Sequence, residues 1–265
     1  MTPSMRIPTR ATHGFAFPWL AFAVLASALP TASASAQASL HPQLGGSVRN
    51  RLGEVRLESG EERRYELGAY AEIVARFDVR PFASADDLTS GFESRTWFAH
   101  SLALDTESGG NPSTSRFVRF GADVGWLFPV AGGLELGLAA GFVFEGYYLG
   151  ARTPFPSTRT LAIRPALRVR QAIWGERLGL DLDAAYRAVV FEGGLTDRFG
   201  SDAQIRAFDL TGALTGTLKA FSWALRLSWV SYLYELSGDA DEARAVDGHD
   251  HSVRMEVLVG WKLGT

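Results

Sequence analysis

The chain has no cysteine in 265 residues, and its basic residues are almost all arginine, with only Lys219 and Lys262 as lysines. Without cysteine there are no disulfides, no thiolate nucleophile and no Cys-ligated zinc or iron–sulfur centre. There is no basic surplus either: Lys+Arg is 26 against Asp+Glu 29, a formal net charge of −3. A nucleic-acid-binding chain would carry a positive excess, so no nucleic-acid partner is expected. Glycine-rich phosphate loops and haem-attachment motifs are missing. Charged residues at 21% and aromatics at 12% exclude disorder as the main state. Mean hydropathy is +0.01, far too low for a bundle of membrane helices. Glycine, at 28 residues, is above its usual share of about 7%.

Residues 1–36 read as a secretory signal peptide. Arg6 and Arg10 give a basic start, Phe15–Leu29 an apolar stretch, and Ala34-Ser35-Ala36 a small-residue exit. That places 37–265 in an oxidising compartment as a single domain without disulfides, where closed backbone hydrogen bonding in a barrel supplies an alternative restraint.

From Glu66 onward apolar and polar residues alternate with period two, the signature of strands. Leu67, Ala69, Ala71, Ile73, Ala75, Phe77 and Val79 oppose Tyr70, Glu72, Arg76, Asp78 and Arg80. The same alternation sets Val118–Phe128 against Arg119 and Asp123, Leu134–Phe144 against Glu135 and Glu145, and Leu161–Ile173 against Arg164, Arg168 and Arg170. Further on, Leu178–Val190 opposes Asp181, Asp183 and Arg187, Trp223–Trp229 opposes Arg226, and Val253–Leu263 opposes Arg254 and Glu256. The segment Val124–Phe144 has one charge, Glu135, and is long enough for a membrane helix. Pro129 and Ala131-Gly132-Gly133 at its middle read instead as a hairpin turn.

These runs are roughly 13–16 residues long, against about 5–6 for an ordinary strand. A tilted strand needs about 9–11 residues to cross the hydrocarbon. Short turns at Ala131-Gly132, Trp174-Gly175 and Lys219-Ala220 alternate strictly with longer polar loops at Asp105–Thr114, Gly150–Ser157, Glu192–Ala203 and Leu236–Asp250. Aromatics gather at both rims. Phe82, Phe128, Trp174, Trp223 and Trp261 lie toward the short turns, and Tyr147, Tyr148, Phe191 and Tyr234 toward the long loops, as two interfacial girdles require. Nine strands are clear. A tenth within Gly46–Leu57 follows from topology, although 37–60 is poorly patterned and Val48, Leu52, Val55 and Leu57 do not keep one parity. Eight strands is the alternative count.

With these strands, turns and girdles, the chain resembles a bacterial outer-membrane β-barrel in architecture. The expected fold is all-β, an antiparallel transmembrane β-barrel of about ten strands. The resemblance implies residence in the outer membrane, contact with its lipid and lipopolysaccharide, and insertion by the barrel-assembly machinery. The inward face then carries the charges Arg119, Asp123, Glu135, Glu145, Arg164, Arg168, Arg170, Asp181, Asp183, Arg187, Arg226, Arg254 and Glu256. A three-residue turn centred on Gly132 sets Arg119 opposite Glu145 and Asp123 opposite Gly141. A two-residue turn at Trp174-Gly175 sets Arg168 opposite Asp181. Inward glycines at 121, 125, 137, 141 and 179 leave room for long side chains.

No catalytic, cofactor or metal site follows from the sequence, and no cofactor is expected. The last long loop carries Asp247, His249 and His251, an Asp-x-His spacing whose residue types suffice for a general base. Omptin proteases, similar in being ten-stranded barrels, place acidic and Asp-His pairs at the outer rim, and Asp239 and Asp241 would complete such a set. His251 and Ser252 are adjacent and so point to opposite faces of a strand. The expected function is a non-enzymatic barrel with a narrow, charge-filled lumen, serving as a minor channel or a structural envelope protein. The alternative is an outer-membrane hydrolase with an Asp/His site in the outer loops. The Arg164, Arg168, Arg170 run is also a candidate anion-selecting stripe.

Overall fold

The computed structural model describes residues 38–83, 88–102, 104–108, 111–149, 156–175, 177–199, 202–237 and 244–264. The expected leader at 1–36 and the candidate residues Asp239 and Asp241 lie outside the described residues. Twelve strand segments follow in chain order: β1 (Ser39–Leu57), β2 (Glu62–Arg80), β3 (Phe92–Ser101), β4 (Leu104–Ser108), β5 (Asn111–Ala131), β6 (Leu134–Tyr148), β7 (Thr158–Ile163), β8 (Ala166–Ala172), β9 (Leu178–Gly193), β10 (Asp202–Leu218), β11 (Phe221–Ser237) and β12 (Ala245–Trp261). A short helix, α1 (Leu195–Phe199), follows β9.

Segments β3 and β4 both pair with β5, and β7 and β8 both lie between β6 and β9, so the twelve segments form ten staves. Each stave pairs antiparallel with its neighbours, and β1 pairs with β12 from Gln43↔Gly260 to Leu57↔Ala245. The sheet therefore closes on itself and leaves no long edge, which is what a strand protein in hydrocarbon requires. The fold is a closed ten-stranded antiparallel barrel.

Alternation puts large apolar residues outside and charges inside. Leu138, Leu167, Leu210, Leu227, Met255 and Val257 are exposed on the outer wall. Arg49, Glu72, Arg187 and Glu256 are buried inside it. This inverts a soluble barrel: the apolar belt has no protein cover, and lipid is the solvent that accommodates it. The belt and the closed sheet place the chain in the bacterial outer membrane.

The first strand begins at Ser39 rather than within Gly46–Leu57. Its odd residues face inward throughout and its even residues outward, so Val48 and Leu52 meet lipid while Val55 and Leu57 enter an interior apolar layer. Apolar residues on both parities blur its pattern in the sequence. In β2 the inward parity changes once: Arg51 pairs with Leu67 but Arg49 with Tyr70, a bulge that gives β2 one extra residue. Leu67 is therefore interior, not on the lipid face with Ala69 and Ile73.

Connections alternate less strictly than expected. On the long-loop side β1 and β2 are joined by a tight turn, with the Gly60 N–H donating to the Leu57 C=O at 2.9 Å. On the short-turn side the passage from β2 to β3 includes a 3-10 turn at Leu88–Gly91. The expected loop Asp105–Thr114 is a hairpin of β4 and β5, and the expected loop Leu236–Asp250 ends early because β12 starts at Ala245. Pro165 separates β7 from β8 without ending the stave. The Arg164 N–H donates to the Gly141 C=O at 2.8 Å and the Tyr186 N–H to the Pro165 C=O at 3.1 Å, so the ladder continues on both sides.

Candidate functional site

Among the described residues charged side chains concentrate in the interior, and it is filled in layers. Nearest the short turns, Arg170 donates through Nε to Asp181 at 2.9 Å, through Nη1 to Glu135 at 3.2 Å and through Nη2 to Glu93 at 3.0 Å. Arg80 also reaches Glu135, at 3.1 Å. In the middle layer Arg168 bridges Asp183 at 2.9 Å, Asp123 at 2.5 Å and Glu93 at 2.7 Å. Arg164 contacts Asp183, Asp123 and Asp209. Arg187 donates to Asp209 at 2.8 Å and to the Tyr232 hydroxyl at 2.7 Å.

Toward the long loops, Glu145 gathers Arg187 at 3.2 Å, Arg49 at 3.5 Å and the Tyr232 hydroxyl at 2.9 Å. Beside it Asp250 shares the single Arg51 Nε–H between its two oxygens, at 2.7 and 3.0 Å, and accepts a bond from the Tyr65 hydroxyl at 2.5 Å. Above these charges the lumen becomes apolar. Val55, Leu57, Phe117, Ile205, Val230 and Leu236 pack with Leu195 and Phe199 of α1 into one buried cluster. Glu192 holds α1 in place, its carboxylate accepting the Leu195 N–H at 2.9 Å and the Thr196 N–H at 3.1 Å. Gly194, at φ 109°, makes the approach possible, since a Cβ there would stand 1.8 Å from the Ser157 carbonyl oxygen.

All thirteen charges expected inside are on the inner face, but several partners differ from ladder arithmetic. At the Gly132-Gly133 turn the body register matches the expected one, with Arg119 opposite Glu145 and Asp123 opposite Gly141. The turn itself has two residues, both at positive φ (58° and 79°), and a bulge between Pro129 and Ala131 absorbs the difference. Arg119 nevertheless turns from Glu145 and crosses the lumen to Glu256, at 3.4 Å. At the second hairpin the register differs by one pairing step. The Arg177 N–H donates to the Trp174 C=O and the Ile173 N–H to the Leu178 C=O, a longer turn that sets Arg168 opposite Asp183 and Arg170 opposite Asp181.

Glycines open the space these side chains use. A Cβ at Gly121 would meet the Trp97 ring at 2.5 Å, and one at Gly125 the Arg168 Nη1 at 3.0 Å. Tyr147 and Tyr234 belong to the interior cluster and not to the rim girdle, because they share parity with Glu145 and Tyr232. Phe191, Tyr186 and Trp229 stand outside on that side.

Asp247, His249 and His251 lie on β12 and face outward, opposite in parity to buried Asp250. Asp247 is ion-paired with Arg56, and the His249 and His251 rings are 5.1 Å apart, with His251 stacked on Trp229. They line no mouth. Among the described residues no three of His, Asp and Glu gather as a metal site. The interior charges Arg49, Arg51, Glu72, Glu93, Arg95, Asp209 and Asp250 were not among the expected set. Parity with their strand neighbours is the signal that finds them: Arg49 and Arg51 on β1, Glu72 on β2, Glu93 and Arg95 on β3, Asp209 on β10 and Asp250 on β12.

Neither a protein-family model nor a curated protein matches the chain. Among solved structures it is similar to the outer membrane protease OmpT from Escherichia coli, with a TM-score of 0.54 and 9% identity over 89% of this chain and 100% of that one. It also aligns with the TodX deltaS2S3 mutant monoaromatic hydrocarbon channel, at TM-score 0.36, 9% identity and coverage of 86% and 91%. The P. putida toluene transporter TodX follows at TM-score 0.29, 10% identity and coverage of 88% and 91%. The OmpT likeness is one of fold: this chain has the fold of a bacterial outer-membrane β-barrel.

Proposed function

We propose that this protein is a closed outer-membrane barrel, a structural envelope component with at most a minor conductance, and not a general diffusion porin. The observation that carries the reading is the double filling of the lumen. An arginine–carboxylate network occupies its middle and an apolar layer with α1 occupies its loop end, leaving a mid-lumen cavity of about 40 Å³. Side chains that meet across the lumen, as Arg119 and Glu256 do at 3.4 Å, obstruct the passage of hydrated solutes. We assign it no catalytic role: Asp247 and His249 are on the outer wall, and Arg56 engages the carboxylate a general base would need. Its partners are the lipid and lipopolysaccharide around the apolar belt, and the assembly machinery that inserts such barrels.

Liposome swelling tests the reading. Vesicles containing wild-type protein should exclude arabinose and glucose as empty vesicles do. A variant combining Arg168→Ala, Asp183→Ala, Leu195→Ala and Phe199→Ala, which thins both layers, should admit them faster. Swelling by the wild type at porin-like rates would overturn the proposal.

A further inference from the structure

The two walls of the mid-lumen cavity differ in charge balance. Around Arg164, Arg168 and Arg187 stand Asp183 and Asp209 from β9 and β10 and Asp123 from β5, three against three. On the β5–β11–β12 side Arg119, Arg226 and Arg254 converge on one carboxylate, Glu256. Its Oε1 is 3.4 Å from Arg119 and 2.6 Å from Arg254, and its Oε2 is 3.5 Å from Arg226. All four residues are more than nine-tenths buried. Of the other arginines lining the cavity, Arg76 and Arg95 are answered by Asp78 and Glu93, so the shortfall is confined to the three guanidinium groups around Glu256.

Alignment is as poor as the balance. Arg254 Nη2 donates to Ser228 Oγ at 3.3 Å, and Arg254 Nε is ion-paired with Glu256 Oε1 at 2.6 Å without a well-aligned hydrogen bond, while Arg254 Nη1 and Arg119 Nε make no hydrogen bond among the described residues. Across the ladder Arg254 sits opposite Arg49, a like charge already engaged by Glu72 and Glu145. Buried guanidinium charge without a counter-charge is costly, and each guanidinium offers five donors in a fixed plane.

We propose that Arg119, Arg226 and Arg254 bind a small inorganic anion of halide size in this cavity, completing the charge balance that Glu256 begins. The cavity of about 40 Å³ exceeds the roughly 10–15 Å³ a single water needs. It suits a monatomic anion and excludes a nucleotide, a sugar or a phospholipid headgroup. The site is distinct from the Arg164, Arg168, Arg170 run, whose charges are answered by their own carboxylates, and it stands whether or not the barrel conducts.

Chloride is the probe. Refolded full-length mature protein is melted in sodium gluconate, whose anion is too large for the cavity, with sodium chloride substituted stepwise at constant ionic strength. A rise in midpoint of about 3–5 °C is expected by the time chloride reaches about ten times its dissociation constant, growing with the logarithm of chloride beyond that. Arg254→Gln should abolish the rise, with Arg226→Gln as the equivalent variant if the first does not refold. Glu256→Gln, which removes the competing carboxylate, should produce the same rise at roughly tenfold lower chloride or less, a tenfold change in affinity being about 1.4 kcal/mol. Crystals soaked in bromide should show an anomalous peak between the three guanidinium groups. Identical midpoints in chloride and gluconate, or bromide peaks only outside the lumen, would overturn the proposal.

Discussion

At the scale of single residues, the lumen sorts charges by how completely each is answered. Asp209 accepts from Arg187 and Arg164 in a fully buried setting. Replacing a buried ion pair as a unit often costs little, whereas removing one member strands the other. Asp209→Ala should therefore destabilise the refolded barrel by about 3–5 kcal/mol, read as a lower urea midpoint. The exposed pair Arg56–Asp247 gives the contrast: Arg56→Ala should cost no more than about 1 kcal/mol. Equal losses for the two variants would contradict the assignment of the interior charges as a buried network. Which residues face inward was legible from parity alone. Who pairs with whom was not, because Arg119 passes its ladder partner Glu145 and finds Glu256 across the lumen, and a period-two pattern has no knowledge of the opposite wall.

At the scale of elements, hairpins and the one helix show where local chemistry decides. The glycines mark the place of the Gly132-Gly133 turn, but its length differs from the expected three residues: two residues at positive φ close it and a bulge after Pro129 keeps the expected body register. Trp174-Gly175 closes as a longer turn, and the shift of one step exchanges Asp181 for Asp183 as the partner of Arg168. Two-residue steps keep every side chain on the same face, so the burial pattern carries no trace of that shift. The helix α1 was read as a loop, since five residues are too few for a helical period. It exists because Glu192 caps it and because Leu195 and Phe199 are fully buried in the interior cluster. Phe199→Ala should cost about 3–5 kcal/mol of stability, and Glu192→Ala about 1 kcal/mol, with faster hydrogen exchange at the Leu195 and Thr196 amides. Unchanged exchange at those amides in Glu192→Ala would show that the cap does not hold the helix.

At the scale of the whole molecule, closure makes the barrel a single cooperative unit. Every stave is hydrogen-bonded on both sides, and β1 is zipped to β12 along most of its length. Unheated protein should therefore migrate differently from boiled protein on a denaturing gel, and a chain lacking β12 should not. The closed barrel and its apolar belt were legible because strand length and alternation are both properties of the sequence. The filling of its loop end was not, because Val55, Leu57, Tyr147 and Tyr234 read equally well as lipid-facing or rim residues until the bulges and the parity of their strands are known. Planar-bilayer recording of the refolded wild-type protein tests whether its lumen is shut by its own side chains, as proposed. Insertion should give no steady conductance step approaching that of an open porin, whereas large, long-lived steps from the unmodified protein would contradict the account.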